Sequence, residues 1–167
     1  MFTFKIFEIA DGKSTRTLLL TPQSMDMGEV LLRSGSIDLE FEKAQHFIRA
    51  RLHIVASVRL ICDRSLEEFE YPVNQHYNIL FKFDPIEESE DEKGSIRNIN
   101  QSKKEISIEQ DVLDTILLNL PAKKLHPRFL DQHGNPSEFE TEIFGASDTD
   151  KEETMDPRWE ALKDLKN

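Results

Sequence analysis

Cys62 is the only cysteine in the 167-residue chain, and Ser65 stands where a C-x-x-C knuckle would place its partner thiol. Zinc needs about four ligands, and Cys62 could reach that number only by recruiting residues such as His126 and His133 from elsewhere. None of the five histidines (His46, His53, His76, His126, His133) is spaced i, i+4 on a predicted helix. The simpler reading of Cys62 is a small buried residue at the end of an alternating strand. No G-x-S-x-G, phosphate-cradling glycine loop or H-E-x-x-H occurs, so the reading is a non-enzyme without metal or other cofactor.

The basic residues form the other constellation. Between Lys43 and Arg64 there are five Lys or Arg and one acidic residue, inside a chain of net charge -11. Arg49, Arg51 and Arg59 share one strand face, and Lys123, Lys124 and Arg128 follow a predicted helix. All six are candidate RNA-phosphate contacts. Cross-strand pairing with Asp38, Glu40 and Glu42 competes for the same guanidiniums, and the sequence leaves the two readings even. The acidic balance also suits a basic protein partner.

A half-buried sheet must position these groups. Every even residue from Ile48 to Cys62 is apolar or small, which is the period of a strand with one covered face. Val73–Phe83 repeats the pattern beyond a polar turn at 63–66, so the two form an antiparallel hairpin. Phe2–Ile6, Arg16–Leu20 and Ile37–Glu42 read as further strands, with breaks at Asp11-Gly12, 22–28 and Ser34-Gly35. The expected fold is α+β, a mainly antiparallel sheet open or closed barrel-like.

Six of the ten residues 84–93 are acidic, and 84–105 reads as an acidic mobile insert. A helix is predicted over about 107–120, with Ser107 and Gln110 as a capping box and Pro121 as its stop. Residues 1–144 form the domain, 145–155 an acidic linker, and 156–167 a C-terminal helical motif (helix about 156–166). That last helix is too short to persist undocked. Its Asp156, Arg158, Trp159, Leu162 and Leu165 are candidate partner contacts. No apolar run approaches the ~20 residues of a membrane span. The lone cysteine and the lack of a signal-like start fit a cytoplasmic protein.

Three ordered motifs carry a family resemblance: Cys62-Asp63-Arg64-Ser65-Leu66 with Phe69, then Leu117-Leu118-Asn119-Leu120-Pro121, then Asp156-Pro157-Arg158-Trp159 leading to Leu162 and Leu165. The chain resembles the YceD family, large ribosomal RNA subunit accumulation proteins of bacteria and plastids. The resemblance implies a role in accumulating 23S ribosomal RNA, through a ribosomal RNA precursor or a ribosomal protein or assembly factor. The alternative is an acidic adaptor or chaperone for a basic ribosomal protein. No small-molecule substrate is implied. Many members carry a C-x-x-C pair and later cysteines as a metal site. Ser65 and the cysteine-free 123–136 depart from that pattern, so zinc is not carried over.

Overall fold

The computed structural model describes residues 2–100 and 102–137. The C-terminal motif, with Asp156, Arg158, Trp159, Leu162 and Leu165, and the linker 145–155 lie outside them. The described chain runs β1 (Thr3–Lys5), a 3-10 turn (Ile6–Glu8), β2 (Gly12–Leu20), β3 (Leu31–Lys43), β4 (Phe47–Ile61), β5 (Glu68–Lys82), β6 (Ser89–Glu90), β7 (Gly94–Asn98), β8 (Glu105–Ser107), α1 (Glu109–Leu118) and a second 3-10 turn (Pro127–Phe129).

One sheet has the order β2-β3-β4-β5-β7-β6, and a second, smaller one pairs β1 with β8. All pairings are antiparallel except β5 with β7. The large sheet is open, not a barrel, because β2 and β6 are its two ends. Closure is unnecessary for burying its inner face. Phe2, Phe4, Ile106, Ile108, Val112 and Ile116, from the small sheet and α1, join Phe41, Leu52, Ile54 and Ile79 in one core. The even residues of β4 are buried, as their alternation requires.

Two local expectations fail for physical reasons, and strands lie within the acidic insert. Ser34-Gly35 is not a break but lies within β3, beside a register shift between Leu32 and Ser34. A Cβ on Gly35 would come 2.5 Å from the Val55 carbonyl oxygen, so glycine is needed for close strand approach. The capping box does not form. Ser107 Oγ accepts from the Glu109 amide at 3.4 Å, while Gln110 donates to Asp114 at 2.9 Å. The insert 84–105 holds β6 and β7, with Ser95 and Ile99 buried. There β7 pairs with the outer edge of β5, whose peptide groups would otherwise be open there.

Candidate nucleic-acid interface

The outer face of β2–β5 carries the odd residues of β4. Each candidate arginine of this face is ion-paired. Arg49 Nη1 is 2.9 Å from Glu42 Oε2, Arg51 bridges Glu40 and Glu42 at 2.9 and 3.3 Å, and Arg59 Nη1 is 2.9 Å from Glu68 Oε2. The register sets these pairs, since Glu42 lies opposite Arg49 and Glu40 opposite Arg51. Lys13 reaches Glu40 at 3.7 Å and Arg33 reaches Glu70 at 3.5 Å. These five cations and Lys82, opposite Phe47 on β5, face five carboxylates, Asp38, Glu40, Glu42, Glu68 and Glu70, so the face carries a formal surplus of only one positive charge. Such half-exposed pairs are worth ~0–1 kcal/mol each and leave the guanidiniums exchangeable.

The six basic candidates do not form one patch. Arg49 and Arg59 are ten residues apart on one strand, ~33 Å at strand rise. Lys124 and Arg128 lie instead at the Cys62–Leu66 turn, and Lys123 is exposed nearby in sequence. Arg128 pairs with Glu67 and lies 4.7 Å over the Phe129 ring.

That turn brings together the two halves of a knuckle. The Asp63 amide donates to the Lys124 carbonyl, and the Lys124 amide donates to the Asp63 carboxylate, both at 2.7 Å. The His126 amide donates to Cys62 Sγ at 3.3 Å. The donor set does not fit a metal: one thiol, a serine hydroxyl, and backbone N–H groups where ligands would be. His126 Nδ1 accepts from the Arg128 amide, and no group of three His, Cys, Asp or Glu among the described residues could hold an ion.

Cys62 Sγ is buried, which pushes its thiol up. The Ser65 hydroxyl and the Ser65, His126 and Arg64 amides outweigh this and lower it from 9.0 to about 7. A lowered native value makes the thiolate's contribution to stability complete above pH 9 and lost as pH falls through about 7. Urea denaturation of the protein and Cys62→Ala from pH 6 to 10 is expected to give a stability gap that widens with pH across this window. A flat gap contradicts it.

Two features, one on each side of the sheet, are not legible from residue types alone. His53 and His76, opposite each other on β4 and β5, stack with centroids 4.3 Å apart and planes 11° off parallel. His53 Nε2 meets Asn74 Oδ1 at 2.9 Å, and its Nδ1 lies 4.0 Å from Asp38 Oδ2. Thr17 in turn donates to Asp38 at 2.9 Å. The hairpin register was the available signal, since it places the two histidines in one row. The second feature is a buried cluster behind β7, where Ser95 Oγ and Arg97 Nη2 donate to Asp111 Oδ1 at 2.6 and 3.1 Å.

The described residues form a mainly antiparallel sheet backed on its inner face by one helix, with polar side chains on its outer face. The family model for "Large ribosomal RNA subunit accumulation protein YceD" matches residues 50–166, and the chain belongs to that family. No curated protein and no solved structure matches it. The family ties the chain to accumulation of the large-subunit ribosomal RNA and so to a ribosome-related partner. Among the described residues, no helix is long and apolar enough to cross a membrane.

Proposed function

We propose that the protein is a non-catalytic factor that supports large-subunit ribosomal RNA accumulation by contacting precursor RNA on the outer face of β2–β5. The observation that carries this is the face itself. The small sheet and α1 fill the inner side, while Arg49, Arg51, His53, Asn74, His76 and Asn78 lie on the outer side, which no described element covers. Its width spans four strands, and the family name supplies the RNA.

The ion pairs and the net charge of -11 favour one second reading, an acidic adaptor for a basic ribosomal protein. Salt dependence separates them. A protein neutralising six to ten phosphates loses about 10³–10⁵ in affinity between 50 and 200 mM salt. The paired arginines here predict a loss of no more than about tenfold, with detectable binding to a single-stranded precursor fragment. Filter binding at the two salt concentrations tests it. No RNA binding, with tight capture of a purified basic large-subunit protein, establishes the adaptor reading instead.

A further inference from the structure

We propose that the His53–His76 stack is a platform for one unpaired RNA base, which stacks on the outer ring face of His76. This deepens, and rests on, the RNA-contact reading above. The direction of the stack carries the argument. From His53 through His76 it runs across the sheet from β4 to β5. The next strand, β7, pairs with β5 only from Asn78 onward, through Asn78 and Gly94. Beside His76 the sheet therefore ends, and the ring's second face is open. His76 is exposed, and among the described residues its ring has no partner except His53.

The platform is held in place before any ligand arrives. Asn74 fixes one nitrogen of His53, and Asp38, itself held by Thr17, faces the other. A fixed ring orders little more when a base lands on it. The flanking amides add a reading edge on the same face. Asn74 uses its carbonyl oxygen on His53, which leaves its NH₂ to donate. Asn78 directs its NH₂ to the Lys93 carbonyl at 3.4 Å, which leaves its oxygen to accept. A shallow hollow of about 510 Å³, lined by Thr17, Asp38, Arg51, His53, His76 and Asn78, gives the neighbouring nucleotide a place to lie.

Two other ligands fit worse. A metal shared by the histidines needs ring nitrogens converging at ~2.0–2.1 Å, and parallel rings do not converge. A phosphate cluster needs concentrated positive charge, and this face has a surplus of one with all its arginines ion-paired. Stacking needs neither, because every base has an aromatic face.

The test uses the full chain and three labelled 12-nucleotide probes: single-stranded oligoadenylate, an abasic strand with the same phosphates, and a duplex. Fluorescence anisotropy is expected to show the single strand bound at least about tenfold tighter than the abasic strand or the duplex. His76→Ala is expected to weaken it about 5- to 150-fold with an unchanged melting temperature, and His76→Phe to restore it within about twofold. If the single strand binds but the abasic strand binds equally, or His76→Ala leaves affinity unchanged, the platform is wrong and the RNA reading stands. If neither strand binds and a basic ribosomal protein does, both fall. The abasic comparison needs no variant, so it decides the matter even if His76→Ala fails to fold.

Discussion

Phe41→Ala is expected to lower the unfolding free energy by about 3–5 kcal/mol, the range for deleting a buried phenylalanine ring. Phe41 is 0% exposed on the inner face of β3, with Ser14 and Ala50 opposite it on β2 and β4. Its ring meets Phe4 edge-on, with centroids 5.1 Å apart and planes at 74°. Phe4 belongs to the small sheet, so the ring joins the two sheets. The cross-strand neighbours are too small to fill the space that truncation leaves, and the core relaxes only partly around such a void. Urea denaturation measures the loss, with an unchanged slope showing that both end states keep their compactness. A double-mutant cycle with Phe4→Ala should return a coupling of about 0.5–1.5 kcal/mol for the edge-on pair. A loss below about 1 kcal/mol for Phe41→Ala shows that the junction collapses and that the ring does not hold the sheets together.

The long hairpin was legible because its signal is local. The alternation from Ile48 to Ile61 sets which face is buried, and the polar turn sets the register that puts Arg59 beside Glu70 and His53 beside His76. The pairing of Arg49 and Arg51 with Glu42 and Glu40 was visible only as one of two options. Residue types report that charges exist, whereas the β3–β4 register decides which ones meet. The strands within 84–105 were not legible because composition hides them. Its acidic residues are exposed, and Glu88 and Glu90 pair with Arg97 at 3.9 and 2.6 Å, while one small polar residue, Ser95, is the buried one in β7. A parallel strand of five residues with a single buried position has no period to read. Gly35 misled in the other direction. Glycine next to serine reads as a turn, but here it permits the approach of β4. The sequence shows one thiol at the turn, and the geometry adds what surrounds it: amides and a hydroxyl around one sulfur.

Asp111→Ala is expected to cost about 2–4 kcal/mol, more than any exposed acidic residue of the chain. Asp111 sits in the first turn of α1, where its charge also faces the favourable end of the helix, and it is only 4% exposed. One oxygen, Oδ1, accepts from Ser95 Oγ at 2.6 Å and from Arg97 Nη2 at 3.1 Å, which ties the helix to β7. Truncation leaves two different debts. Ser95, 4% exposed, loses its 2.6 Å acceptor and keeps only its side-chain bond with Tyr77, at about 1–3 kcal/mol. Arg97 is better placed, because Glu90 still holds it at 2.6 Å and about a quarter of its side chain meets solvent, so its loss is discounted to about 1 kcal/mol. Asp111→Asn keeps an acceptor for Ser95 and is expected to cost less, about 1–2 kcal/mol. Glu90→Ala removes an exposed partner of the same arginine and should cost under about 1 kcal/mol. The assignment of the larger share to Ser95 has its own check. Adding Ser95→Ala to Asp111→Ala removes the hydroxyl that lost this acceptor and should recover about 1 kcal/mol, because losing both members of the pair is cheaper than losing one. Urea denaturation of the four proteins decides it. If the double variant is less stable than Asp111→Ala alone, the penalty lies in the arginine or in helix packing, and the Ser95 bond is not what holds α1 to the sheet.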